Sequence, residues 1–215
     1  MKIRTAAFAG LALATLAGCK TQGDLVVDEG VGITALRTAC PAVGIPDYTG
    51  DVTLFSPAGS VTSDAIDVTA SMTDVRSTCD ESGERIYAQA SFIVFAQRRN
   101  TSGARTVQLP YFASVIRGGN AVVSKRIGTV TLEFPDGQAR ASATGSGGAF
   151  IDKAEATLPD DIRERITRKR KAGQADAAVD PLADPAVRAA VSRASFELLV
   201  GFQLTQDQLG YNVTR

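Results

Sequence analysis

Three cysteines, at positions 19, 40 and 79, and a run of cations at residues 163–171 are where this chain concentrates side chains able to do chemistry. The cysteines lie too far apart for the C-x-x-C arrangement, in which one thiol activates its neighbour. Histidine is absent from all 215 residues. Its absence removes the usual general base near neutral pH, and with it Ser-His-Asp and Cys-His nucleophile sites and HExxH zinc sites. Thr144-Gly145-Ser146-Gly147-Gly148 has neither the G-x-x-x-x-G-K spacing of a phosphate cradle nor the G-x-S-x-G spacing of a nucleophile turn. It reads as a strand exit or a flexible connection. Asp160 and Asp161 are the nearest thing to a carboxylate pair, but adjacent helical residues do not face each other, and acids at a helix start serve the dipole. Asp180 and Asp184 each precede a proline and read as turn and cap devices rather than calcium ligands. No catalytic residue, metal site or cofactor is expected.

The cations Arg163, Arg165, Arg168, Lys169, Arg170 and Lys171 make six of the nine residues of R-E-R-I-T-R-K-R-K basic. As a candidate anion-binding site they would attract a lipid headgroup, lipopolysaccharide phosphate or another polyanion. The plainer reading is a solvated helix face with cations at its C-terminal end. No aromatic residue interleaves to stack bases, so nucleic acid is not an expected partner. The whole chain is neutral, with 23 basic and 23 acidic residues. Tryptophan is absent and tyrosine occurs four times, which supplies an aromatic sugar platform poorly.

The amino terminus states an address. Lys2 and Arg4 precede Thr5–Ala17, a charge-free run of 13 residues. A helix needs roughly 20 to cross a hydrocarbon core, so the run is a secretory signal rather than a span. Leu16-Ala17-Gly18-Cys19 closes it and resembles the lipobox of bacterial lipoproteins. The resemblance implies cleavage before Cys19, diacylglycerol on its sulfur and a further acyl chain on its amino group. Two or more chains anchor stably where one does not. Lys20 stands where the family's inner-membrane retention signal would be Asp, which points to the outer membrane, facing the periplasm. With Cys19 lipidated, Cys40 and Cys79 remain as an even pair in an oxidising compartment, and a disulfide between them is expected. Loss of residues 1–18 leaves 21 basic and 23 acidic residues. An ordinary secretory signal with an incidental Cys19 is the competing reading. The lipobox and the last twenty residues together resemble envelope lipoproteins of alphaproteobacteria, a likeness that carries no activity with it.

The elements that must hold these residues divide as follows. Residues 1–18 are the signal peptide and 19–48, interrupted by Gly and Pro, a lipidated tether pinned by Cys40. Residues 49–150 read as a β-sandwich. Ile66–Met72 alternate with polar residues, and Ile86–Gln97 is apolar on both faces, so that strand is placed centrally. Val107–Val115 alternates as well, with Pro110 pointing to an edge strand or a bulge. Arg117–Asn120 reads as a turn. Val130, Leu132 and Phe134, then Pro135-Asp136-Gly137, then Ala139, Ala141 and Ala143 read as a hairpin. Strands this short, broken by turns, look like an immunoglobulin or fibronectin type III module, although the Trp and the usual inter-sheet cysteine pair are missing.

Residues 151–215 are expected to add helices and a closing strand packed on the same domain. Pro159-Asp160-Asp161 starts one helix, ending in the Arg168–Lys171 cations, and Asp184-Pro185 caps another. Phe196–Leu204 alternates and is read as a strand, with a continuing helix as runner-up. Thr205 and Gln208 match a capping box for a short terminal turn, part of either a docking tail or a fold-closing one. The function so implied is a membrane-anchored, non-enzymatic structural or adaptor component of the envelope, partnered by the membrane through Cys19 and by an envelope protein. The alternative is a lipid, lipopolysaccharide or polyanion binding domain using 163–171.

Overall fold

The structure, a computed structural model, describes residues 38–171 and 173–215. Residues 1–18, expected to be a signal peptide, and Cys19 lie outside the described residues. Period-two sequence builds most of what is described. Ile86, Ala88, Ala90, Phe92, Val94 and Ala96 alternate along β4 (Arg85–Arg98) and are all buried, with more exposed residues between them. The same alternation runs through β3 (Ile66–Asp80) at Val68, Ala70 and Met72, and through β6 (Ala121–Phe134) at Val130, Leu132 and Phe134. Successive side chains of a strand point to opposite faces, so each strand offers one apolar row.

The protein is mainly β, with two four-stranded sheets and helices toward the C-terminus. One sheet has the order β2 (Asp51–Phe55), β3, β4, β7 (Arg140–Asp152), antiparallel throughout. The other has the order β1 (Ala42–Gly44), β8 (Phe196–Phe202), β5 (Arg105–Arg117), β6, with β1 parallel to β8. Inward rows of both sheets meet in one hydrophobic core, where Phe92 and Met72 of the first sheet join Leu109, Leu132, Leu198 and Phe202 of the second. β4 is an interior strand, as expected, although its second row faces outward with Phe95 54% exposed, and Phe196–Phe202 supplies a strand rather than a helix. β8 lies between β1 and β5 in its sheet. β1 falls inside the stretch expected to be tether, and joins the sheet along Ala42–Gly44.

Three local expectations are corrected. Val130–Ala143 is not a hairpin: β6 bonds to β5 and β7 bonds to β4, so Pro135-Asp136-Gly137 carries the chain from one sheet to the other. A tight turn between alternating rows fits both arrangements, and here the shared core draws the two rows in from opposite sheets. β5, which contains Pro110, is an interior strand, and its register shift falls at Val115/Ile116. Pro110 is tolerated because the β8 ladder stops at Tyr111, one residue short of it, and only its carbonyl is used, accepting from Gln203 N at 2.8 Å. Thr144–Gly148 is neither exit nor linker but the middle of β7. Its glycines make room for neighbours: a Cβ at Gly145 would stand 2.5 Å from the Phe92 ring, and one at Gly147 2.5 Å from Ala113 Cβ. Glycine in a strand marks such close approach.

Between β7 and β8 the chain forms α1 (Lys153–Ala156), α2 (Asp160–Thr167) and α3 (Pro185–Arg193). Leu158, Ile162, Ile166, Val187, Ala190 and Val191 give α2 and α3 a small core of their own. Asp184 caps α3 by accepting from Ala186 N at 2.8 Å, and Asp180 accepts from Leu182 N at 2.9 Å, which makes both aspartates the local devices expected. α4 (Gln206–Thr214) starts with the Thr205/Gln208 capping box and extends beyond a single turn. Tyr211 packs edge-on against Phe55, and Asn212 donates to the Tyr48 and Asp51 carbonyls at 2.8 Å each. This tail therefore closes on β2.

Candidate functional site

Cys40 and Cys79 are joined as a disulfide, which ties the residues leading into β1 to the far end of β3. Register explains why they meet. Cys79 pairs with Ala88, on the inward phase of β3, and Cys40 lies two residues before the β1–β8 ladder begins at Ala42 and Glu197. Around the bridge, Thr38 Oγ1 donates to Glu81 Oε1 at 2.8 Å, and that oxygen also lies 2.8 Å from Cys40 Sγ. Lys153 Nζ donates to the Glu81 carbonyl at 2.7 Å. The two sulfurs and the Glu81 carboxylate lie within 4.8 Å of one another, a spacing that would suit a metal if the sulfurs were thiolates. As a disulfide they are bonded to each other, so this trio is a staple and not a metal centre. Several other elements converge on the same end. Arg117, closing β5, donates through Nε to the Arg193 carbonyl at 2.6 Å and pairs with Glu155 of α1 at 3.2 Å. Gly118 N donates to the Ser195 carbonyl at 3.0 Å.

The basic segment is less available than its composition implies. α2 ends at Thr167, so Arg168–Lys171 lie beyond the helix and not in its last turn. Arg163 pairs with Asp160 and Arg168 with Asp176, while Arg165 reaches Asp184 at 2.6 Å. Arg170 is buried, its Nε 3.5 Å from the Asp176 carboxylate. Lys169 and Lys171 are exposed. An anion arriving here competes with carboxylates already in place. Asp184 is held below the ordinary carboxylate range by the Arg165 guanidinium and then by the Ala186 N–H.

One charged group stands out that no sequence signal singled out. Arg98 is 1% exposed and meets no carboxylate among the described residues. Its Nε donates to the Gln138 carbonyl, Nη1 to Gly103 and Nη2 to Thr101 and Pro135, all at 2.8–2.9 Å. The guanidinium also lies over the Phe134 ring, 5.3 Å from its centroid. It therefore gathers the loop after β4 and the crossing turn after β6 at the end opposite the disulfide. Alternation places residue 98 on the inward row of β4, which was the available hint.

Other electrostatic pairs are structural in form. Asp67 is lowered by the bidentate Arg105 guanidinium, at 2.7 and 2.6 Å, and Arg105 is raised in turn. A cleft of 390 Å³ on β2 and β3 is lined by Asp51, Thr53, Thr69 and Ser71 and crossed by the Arg215–Asp51 ion pair. The carboxylate among these hydroxyls, Asp51, is taken up by Arg215. Among the described residues no helix is long and apolar enough to cross a membrane. Comparison of the chain with protein-family models, curated proteins and solved structures finds no match.

Proposed function

We propose that this chain is a lipoprotein, anchored through Cys19 in the outer membrane and facing the periplasm, whose β-rich domain is a non-enzymatic structural or adaptor part of the envelope. The observation that carries the reading is the cysteine arithmetic. The Cys40–Cys79 bridge uses two of three cysteines, and the one left over is the Cys of Leu16-Ala17-Gly18-Cys19 behind a charge-free run. The three acyl chains that the lipobox resemblance implies on that residue exceed the two that anchor stably.

For the domain itself, the reading is a sandwich of the immunoglobulin or fibronectin kind. What supports it is the strand order. In the immunoglobulin arrangement strand B neighbours E and C neighbours F, each pair three apart in sequence. Here β4 neighbours β7 in one sheet and β5 neighbours β8 in the other. Two departures remain: β6 bonds to β5 rather than β7, and the parallel β1 takes the outer place beside β8. Such a domain offers surfaces and no chemistry, in keeping with an envelope protein as partner.

The test is the fate of Cys19. Labelled palmitate is expected on the wild-type chain, whose mature form starts at a modified Cys19 and floats with membranes. A Cys19→Ala chain should take up no label and leave the membrane fraction. A mature wild-type chain that starts at another residue and carries no lipid overturns the proposal.

A further inference from the structure

The first half of β6 is the most exposed apolar strand segment of the second sheet. Val122, Val123 and Ile127 are 62%, 52% and 57% exposed, whereas Val130, Leu132 and Phe134 of the same strand are buried. β6 is the outer strand of its sheet, and the register shift against Val115/Ile116 interrupts the alternation beside Val122 and Val123. Between these aliphatics stand Lys125 and Arg126, both exposed, with no carboxylate in ion-pair distance among the described residues. The Lys125 ammonium lies 5.1 Å from the centroid of Phe112, the half-buried ring opposite Ile127 on β5. In the helical segment, by contrast, Arg163, Arg165 and Arg168 each have an aspartate.

Position gives this surface its meaning. Arg117 of β5 lies beside both Ala121 and Phe196, and β1 enters beside Glu197. The hairpin from which Val122 and Val123 emerge is therefore at the end where the chain, pinned by Cys40–Cys79, continues toward Cys19. We propose that Ala121–Ile127 rests on the anionic phospholipid surface of the membrane holding the anchor, an inference that rests on the lipoprotein reading above. Exposed aliphatics beside cations bind such a surface through apolar burial and headgroup attraction. An anchor nearby makes a contact count that would be too weak for a free domain, because it raises the effective concentration. The contact is made edge-on through β6. Of the acids at this end, Asp80, Glu84 and Asp152 are carried by β3, the turn before β4 and β7 of the other sheet, Glu155 is paired with Arg117, and Glu197 lies on β8, two strands in from β6. A second copy is the poorer occupant: two-fold pairing of β6 with itself would gather two Lys125 and two Arg126 side chains, and residues 121–128 hold no acid to offset them.

The experiment is hydrogen exchange of the lipidated full chain in phosphatidylcholine vesicles with and without phosphatidylglycerol. Flotation is read on the same samples. The expected result is slowed exchange at 121–127 only with phosphatidylglycerol. At about fivefold for each cation lost beside an anionic surface, a Lys125→Ala/Arg126→Ala chain should lose roughly thirtyfold in the contact equilibrium while still floating. A Val122→Ser/Val123→Ser chain should weaken it with the charge intact. Flotation with identical exchange in both vesicles overturns the contact and leaves the anchor standing. Protection in both vesicles that survives the Lys125/Arg126 change and grows with protein density overturns it in favour of strand pairing between copies. A chain that floats with neither vesicle removes the anchored reading and this one with it.

Discussion

Arg98 shows how much a single side chain can organise. Its four carbonyl acceptors belong to the loop after β4 and to the crossing turn after β6; Thr101 and Pro135 also accept from Gly137 N and Gln138 N, while the Gly103 and Gln138 carbonyls rely on Arg98. A buried acceptor left without a donor costs about 1–3 kcal/mol. Arg98→Ala is therefore expected to lose about 4 kcal/mol of stability in urea unfolding, and Arg98→Lys should recover little, since one ammonium cannot span the fork. A loss below about 1 kcal/mol would mean the carbonyls find water instead. Gly145 makes the opposite point, that the absence of a side chain can be structural. A Cβ there overlaps the Phe92 ring, so Gly145→Ala should destabilise by about 1–3 kcal/mol. Phe92→Leu in the same chain should restore part of that if the overlap is the cause.

At the level of elements, the helical segment adds ion pairs and caps to its small core. Asp184 serves twice, accepting from Ala186 N at the start of α3 and from Arg165 of α2. Its folded pKa lies below the unfolded one, so what it contributes is present above the ordinary carboxylate pKa of about 3.9 and is lost as pH falls through the lowered value. Asp67, paired with Arg105 between the two sheets' strands, has the same sign. Melting temperature is thus expected to be flat from neutral pH down to about 5 and to drop below about 4. Asp184→Asn, which keeps an acceptor for the cap but not the charge, should shrink that drop; an unchanged acid profile would assign it to other carboxylates. α4 offers a cleaner case, because its capping box is made by two uncharged side chains. Thr205→Ala removes one side of the capping box and should cost about 1 kcal/mol, read as faster amide exchange in Gln206–Leu209.

For the whole molecule, the disulfide closes a loop of 39 residues that includes β1, β2 and most of β3. Loop entropy makes this worth about 4 kcal/mol, so Cys40→Ser/Cys79→Ser should lose about that much in urea unfolding without reductant. A loss well under this would mean that residual contacts already hold residues 40 and 79 near each other in the unfolded chain. The bridge also fixes the strand end from which the chain leads back toward Cys19.

Much of this architecture was legible in the residues themselves. Alternation in Ile86–Ala96 and Phe196–Phe202 identified buried strands, because side-chain direction in a strand follows sequence position alone. Asp184-Pro185 and the Thr205/Gln208 pair announced their helices, because a cap is satisfied within three residues. The Cys40–Cys79 pair followed from counting once Cys19 was set aside. Partner choice was not legible. Pro135-Asp136-Gly137 serves a hairpin or a crossing equally well, and only the shared core sends β6 and β7 to different sheets. For the same reason the glycines of Thr144–Gly148 read as looseness, although they make room for a ring on β4 and a methyl group on β5. Charge behaved likewise: six cations in nine residues looked available until folding brought Asp176 and Asp184 beside them, while Lys125 and Arg126 drew no notice until β6 was an edge. Local backbone direction and capping belong to neighbouring residues, and so to the sequence; strand partners, counter-ions and free edges depend on residues distant along the chain, and only the tertiary structure assigns those.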